Sequence, residues 1–337
     1  MQQTARHLKN TTYCIHFLYY FDMRADMKKT AISLALVAAL PTVANAEELF
    51  DFYGKANVSF QSNDEGDGAV TDVSSNASRL GVKGELPLDS GIKGIYKMEY
   101  QVNMDGDGDT FSQRNIYAGL EGGFGQAIAG KFDSPLKVAQ KKVDLFNDLE
   151  GDIKSLVTKS DNRPSNAVQY TTPSFGGFKV AAAYISNEDA EILDDAGEVV
   201  DTRDNGTSLS FAYDKDDVYL AYAYDMGVEG NDWDVARMVA QYTLGNLQVG
   251  GLYEEQEKAD SSKQDGWMTS VAYKIDKWTA KAQYGQSDIV KTDGETFSLG
   301  LDYKLSSAAK VFTFYTDETA ADDYSRSYVG VGTEFKF

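Results

Sequence analysis

The side chains that most often catalyse reactions are confined to the first part of this chain. The single cysteine, Cys14, and both histidines, His7 and His16, lie within the first 26 of 337 residues. The remaining sequence therefore excludes a disulfide framework, a histidine-bound metal and histidine or cysteine catalysis. We expect neither a catalytic site nor a cofactor.

Residues 27–46 have the pattern of an export signal. They begin with Lys28 and Lys29, continue through an apolar run, and end with small residues at Ala44 and Ala46. The run is shorter than the about 20 residues that a membrane-spanning helix needs. We predict a signal peptide at 27–46 and an upstream extension at 1–26, neither of them part of the mature protein. The alternatives are a signal with a long N-terminal region and a retained anchor helix.

Charged side chains are the remaining candidates for chemistry. The formal charge of the chain is −20. Removing residues 1–46 takes away five basic and two acidic residues and leaves −23. One segment, Asp133 to Arg163, has apolar residues at helix-like intervals, with lysines and four acids between them. The acids are Asp144, Asp148, Glu150 and Asp152.

The sequence on either side of this segment alternates between apolar and polar residues. In Thr296 to Leu305, for example, Phe297, Leu299 and Leu301 share one face, while Ser298 and Gly300 share the other. One such strand could belong to a soluble sandwich. The pattern recurs too often for a soluble core, and a weak alternation sustained over a whole chain is typical of a transmembrane β-barrel.

The spacing of these alternating stretches predicts sixteen strands with turns and loops of alternating length. In bacterial barrels the short turns are periplasmic, the long loops are extracellular, and both chain ends lie in the periplasm. We therefore predict an all-β fold, a 16-stranded antiparallel transmembrane β-barrel over residues 47–337. The segment Asp133 to Arg163 is its third and longest extracellular loop.

Several motifs extend this prediction to a family. They include YGKA at residues 53–56, SRLGVKG at 78–84, RNIYAGL at 114–120, NAVQY at 166–170 and an aromatic last residue, Phe337. In these the chain resembles the trimeric general diffusion porins of Gram-negative outer membranes. The resemblance implies a homotrimer in the outer membrane, exported through the periplasm, in contact with lipid and lipopolysaccharide. It also implies that Phe337 is an assembly signal read by the barrel-assembly machinery. No nucleic-acid partner is expected.

The resemblance also implies a site inside the barrel. In this family, basic residues on the wall face acids on a third loop that folds into the lumen. The matching wall residues are Lys55, Arg79, Arg114 and Arg163, and the alternation of its strand adds Lys131. The opposing acids are Asp144, Asp148, Glu150 and Asp152. The direction of Arg114 is ambiguous, because the apolar Ile116 shares its parity.

Two functions follow from these expectations. The first is a water-filled channel, constricted by the third loop, for passive diffusion of ions and small hydrophilic solutes. The second is a barrel plugged by its own loop that serves as an adhesin or phage receptor. The charge of −23 favours cations weakly, because most of it lies on loops beyond a Debye length of roughly 8–10 Å from the narrowing.

Overall fold

The computed structural model describes residues 49–141, 143–186, 191–193, 199–202 and 204–337. The predicted upstream extension (1–26) and signal peptide (27–46) lie outside this part of the chain. The strands are β1 Asp51–Asp64, β2 Ala69–Ser75, β3 Arg79–Pro87, β4 Lys93–Val102, β5 Phe111–Gly122, β6 Gly125–Lys131, β7 Ala167–Thr171, β8 Phe178–Ile185, β9 Glu191–Leu193, β10 Val199–Thr202, β11 Gly206–Lys215, β12 Val218–Met226, β13 Asp234–Leu244, β14 Leu247–Glu257, β15 Lys263–Ile275, β16 Trp278–Ser287, β17 Gly294–Lys304, β18 Ala309–Ala320 and β19 Tyr324–Lys336. Two short helices, α1 Pro135–Ala139 and α2 Ile153–Leu156, lie between β6 and β7.

The strands form one closed antiparallel barrel. β1 pairs with β19 from Lys55↔Lys336 to Asp64↔Ser327, which joins the two ends of the sheet. β2 and β3 occupy a single wall position, since β1 pairs with both and residues 76–78 interrupt them. β9 and β10 form a separate hairpin between β8 and β11. The predicted sixteen-stranded antiparallel barrel is therefore confirmed.

The alternation of side chains explains why the sheet closes with its polar face inward. On β17, Thr296 and Ser298 are buried, whereas Phe297 and Leu299 are 39% and 45% exposed on the outside. This is the reverse of a water-soluble protein, and it suits a barrel whose outer surface meets lipid. In the described part of the chain, no helix is long and apolar enough to span a membrane.

Aromatic pairs stand near both rims of the barrel. The rings of Trp267 and Tyr284 are 5.5 Å apart near the long-loop end, and those of Trp278 and Tyr303 are 4.5 Å apart beside a short turn. Such rings favour the two membrane–water interfaces. The two levels therefore mark the band of the barrel that lies in the bilayer.

The connections alternate in length for most of the chain. The longest runs from β6 to β7 through residues 132–166, hereafter the inserted loop. The rule fails at the first and last hairpins, where only residues 65–68 separate β1 from β2 and only residues 321–323 separate β18 from β19.

The inserted loop contributes to each of the buried apolar clusters inside the barrel. Its buried Leu136, Val143 and Val157 pack on inward-facing residues of β12–β15, such as Tyr219 and Met268. Further along the loop, Phe146 packs on Phe312, Phe314 and Tyr328 of β18 and β19. The loop therefore lies against the wall from β12 round to β19.

Glycines on that wall make room for the loop. A Cβ at Gly250 would lie 3.1 Å from Val143, and one at Gly285 would lie 2.9 Å from Val157. A Cβ at Gly300 would lie 2.9 Å from the ring of Phe146. We call Gly250, Gly285 and Gly300 the glycine bed. It brings the loop closer to the wall than any side chain there would allow.

Candidate functional site

The base of the inserted loop is fixed by one arginine of the wall. Arg237 on β13 pairs with Glu254 on β14 at 2.6 Å, and both side chains are fully buried. Arg237 also donates hydrogen bonds to the Leu136 carbonyl at 3.2 Å, to Gln140 at 3.3 Å and to Thr158 at 3.1 Å. Leu136 and Gln140 belong to the incoming leg of the loop and Thr158 to the outgoing leg. One side chain therefore holds both legs against the wall.

The tip of the loop reaches the basic side of the lumen through Asp148. Its Oδ2 atom lies 2.6 Å from Lys55 Nζ on β1 and 2.6 Å from an Arg79 guanidinium nitrogen on β3. Burial alone would raise the pKa of Asp148, but the charges of Lys55 and Arg79 outweigh it and hold this pKa below its ordinary value. Asp148 is thus an ionised bridge between the loop and two strands.

Asp144 and Asp152 do not take the expected place opposite the basic wall. They are 5% and 3% exposed and lie inside the loop tip. Asp144 accepts hydrogen bonds from the amides of Phe146 and Ile153, and Asp152 accepts them from the amides of Asp148 and Lys154. Burial raises the pKa of both carboxyls, and the neighbouring Asp152 raises that of Asp144 further. Backbone amides, which no charge pattern reveals, bind these two carboxylates within the loop rather than opposite the basic wall.

Glu150 contacts the wall through a neutral side chain rather than a cation. Its Oε1 accepts a hydrogen bond of 2.7 Å from Gln61 on β1. Among the described residues, Asp148 is therefore the only one of the four acids that bridges wall cations.

Arg114 faces the lumen because of a β-bulge. The pairing of β4 and β5 shifts between Met98↔Ile116 and Tyr100↔Gln113, so that Arg114 and Asn115 together oppose Glu99. Arg114 Nε lies 3.0 Å from Glu99, which is buried. The bulge explains how Arg114 faces inward although Ile116, two residues on, faces outward.

Glu99 is a functional candidate that sequence reasoning missed. It also lies 3.2 Å from Lys97 and accepts a hydrogen bond of 2.9 Å from the Tyr53 hydroxyl. One buried carboxylate thus holds two cations of the wall, as Asp148 does. The inward parity of Lys97 and Glu99, opposite the outward Met98 and Tyr100, was the available signal.

Arg163 lies on the outgoing end of the inserted loop, before β7. It pairs with Asp133 at 2.6 Å, and Lys137 lies between Asp133 and Asp161 at 3.4 Å and 2.9 Å. The charges of Arg163 and Lys137 outweigh burial and lower the pKa of Asp133. These charges balance one another at the neck of the loop rather than joining the wall cluster.

The prediction that Lys131 faces the lumen is wrong. Lys131 shares a face of β6 with Ala127 and Ala129, which pair with the outward-facing Tyr170 and Val168. The apolar Ile128 and Phe132 turn inward and are buried against residues such as Ile185. On this strand the small alanines take the outer face, so the rule that apolar side chains point outward gave the wrong parity. Lys131 donates a 3.2 Å hydrogen bond to Ser165.

A cavity of about 590 Å³ separates the loop from the basic wall. Its lining includes Arg79, Gln101 and Arg114 from the wall and Lys137, Glu150 and Arg163 from the loop. A second cavity, of about 460 Å³, lies beside Tyr53, Lys83, Lys97 and Tyr117 on the same inner face. Fixed charges close to a narrow passage act on partly dehydrated ions. In the described residues, no group of three His, Cys, Asp or Glu could hold a metal ion.

Phe337 completes the seam of the barrel. Its amide donates to the Gly54 carbonyl at 3.2 Å, its carbonyl accepts from the Gly54 amide at 2.8 Å, and its side chain is 70% exposed. A Cβ on Gly54 would lie 2.3 Å from its ring. These contacts pair Phe337 with Gly54 of β1. The role of Phe337 as an assembly signal stays a prediction.

A closed barrel with a lipid-facing exterior and a charged, hydrated lumen defines a β-barrel channel of the outer membrane. Residues 33–323 match the family model described as Gram-negative porin, and the chain belongs to that family.

The relatives of the chain agree with this assignment. The major outer membrane protein P.IB of Neisseria sicca is 26% identical, with 92% of this chain and all of that protein covered. An anion-selective porin from Comamonas acidovorans has a similar structure, with a TM-score of 0.71 at 20% identity over 86% of this chain and 99% of that one. OmpT of Vibrio cholerae, solved in a trimer form, has a TM-score of 0.62 at 19% identity, also over 86% and 99%.

Proposed function

We propose that ions and small hydrophilic solutes pass this porin between the tip of the inserted loop and the inner face of β1–β5. The observation that carries the proposal is the bridge from Asp148 to Lys55 and Arg79, each at 2.6 Å. It brings the middle of the loop across the lumen to the opposite wall. The adjoining cavity of about 590 Å³ is then the passage, and charged side chains line it.

The roles of the charged residues follow from their positions. Lys55, Arg79 and Arg114 supply the positive side of the passage, and Arg163 contributes at its mouth. Asp148 and Glu150 supply the negative side. Ion preference is then a balance between the two sides, because charges within a few ångströms of the path act with little screening.

The assembly is part of the same proposal. The trimer form of the Vibrio cholerae protein supports a homotrimer, with the long loops outside the cell near lipopolysaccharide. We further propose that the barrel-assembly machinery reads Phe337.

Conductance across a planar bilayer tests the channel. Purified trimers should produce ohmic current steps, and a salt gradient should give a reversal potential that depends on Asp148 and Arg79. Absence of steps would instead support the plugged receptor. Gel mobility that changes on boiling would report the folded barrel and its oligomer in the same preparation.

A further inference from the structure

We propose that Asp152 is a positioning residue, which holds Asp148 in the conformation that delivers its carboxylate to Lys55 and Arg79. The inference rests on the passage proposed above. It assigns the control of ion preference to a side chain whose described contacts all lie within the loop.

The first observation is the backbone of Asp148. Its φ is 69°, in the left-handed region that L-residues other than Asn and Asp seldom adopt. Its amide donates a 2.9 Å hydrogen bond to Asp152 Oδ2. That bond fixes the direction of the Asp148 peptide and hence of its side chain.

The second observation is how many groups Asp152 holds. Its Oδ2 also accepts from the Asn147 side chain at 3.3 Å, and its Oδ1 accepts from the Lys154 amide at 3.0 Å and caps α2. The Asp152 amide donates to the Leu149 carbonyl at 3.0 Å. One buried carboxylate thus ties together residues on both sides of Asp148.

The third observation is the geometry of the contacts from Asp148 to Lys55 and Arg79, which requires Asp148 to be held in place. A single oxygen of Asp148 makes both contacts, at 2.6 Å to Lys55 and 2.6 Å to Arg79. A small rotation of the tip would lengthen both at once. Groups held in place by a buried second set of hydrogen bonds keep such geometry, whereas unsupported ones do not.

Asp152 could instead act through its own charge. It is 3% exposed, and the cation nearest to it among the described contacts is Lys154 at 3.8 Å. A direct field would not depend on Asp148, whereas a positioning effect would vanish once Asp148 carries no charge. A double-mutant cycle separates the two.

The cycle compares reversal potentials in a salt gradient for Asp148→Asn, Asp152→Asn and the double variant. We expect each single change to shift the potential toward anions, and the double variant to shift no further than Asp148→Asn alone. An additive double variant would overturn the proposal in favour of a direct field. Asp67→Asn makes the same charge change on the exposed β1–β2 connection and serves as the matched control.

Two further variants cover two cases: that Asp152→Asn fails to fold, or that its amide oxygen replaces part of the hydrogen bonding of the Asp152 carboxylate. Asp152→Ser keeps a hydroxyl that can cap α2 but lacks the second oxygen that binds the Asp148 amide. Asp152→Ala removes both acceptors. If neither variant nor Asp152→Asn shifts the potential while boiling-dependent gel mobility and conductance persist, Asp152 does not position Asp148. Lack of conductance in the unmodified protein would contradict the proposed passage instead.

Discussion

The guanidinium of Arg237 and the carboxylate of Glu254 lie 2.6 Å apart inside a water-filled barrel, yet neither side chain is exposed to solvent. The inserted loop covers them, and they hold that loop in return. The loop therefore shields the ion pair from water, and the ion pair holds the loop in the position that does so.

Replacing Glu254 by Gln should loosen the loop. Arg237 would remain buried without a counter-charge, and breaking one partner of such a pair costs about 3–5 kcal/mol. We expect noisier single-channel current and gel unfolding at a lower temperature. Glu255→Gln, one residue on and facing outward beside Lys263, is the matched control. Equal current noise in the two variants would show that the pair does not hold the loop.

Replacing Arg79 by Gln should move the reversal potential toward cations. The passage would lose a permanent positive charge that lies 2.6 Å from Asp148. Lys131→Gln makes the same formal change on the outward face of β6 and should leave the potential unchanged. A comparable shift from Lys131→Gln would contradict the strand parity described above.

Replacing Glu99 by Gln should move the reversal potential toward anions. Lys97 and Arg114 would lose the carboxylate that they share at 3.2 Å and 3.0 Å. A less compensated cation would then face each of the two cavities, Arg114 the larger and Lys97 the smaller. Glu255→Gln, which breaks an exposed 3.0 Å pair with Lys263 on the outward face of β14, is the control. An unchanged potential for Glu99→Gln would mean that Glu99 has no influence on the path.

Acidification should weaken the bridge at Asp148 only at low pH. The pKa of Asp148 is held below its ordinary value of about 3.9, so the bridge stabilises the folded loop above that pH and is lost as pH falls through the lowered pKa. Reversal potentials measured from neutral to acid pH should therefore turn toward anions late in the titration. The Asp148→Asn variant should lack this late component. A late turn of the same size in the Asp148→Asn variant would contradict the assignment.

The sequence was sufficient for the barrel because strand alternation is a local property. Phe297 and Leu299 face outward on β17 as their parity predicts, and the closed sheet has sixteen wall positions. Predictions from strand parity failed where the wall departs from a regular alternation of outward apolar and inward polar residues. The bulge opposite Glu99 reorients Arg114, and the small outward residues of β6 misled the reading of Lys131.

The interior of the inserted loop could not be predicted from charge alone. Asp144, Asp148 and Asp152 are chemically identical, but within the part of the chain that the structure describes only Asp148 contacts wall cations. Backbone amides of the folded loop tip donate hydrogen bonds to the carboxylates of Asp144 and Asp152. Their roles depend on hydrogen bonds formed after the loop has packed, and spacing in the sequence does not encode those bonds.

The glycine bed has a consequence for any attempt to widen this pore. Gly250, Gly285 and Gly300 have no side chains to extend into the space that the inserted loop occupies. Excising the loop would leave three gaps between the inward side chains of that wall and would uncover the charges of Arg237 and Glu254. The result would be a broader tube, and engineering its selectivity would begin by placing side chains at these three glycines.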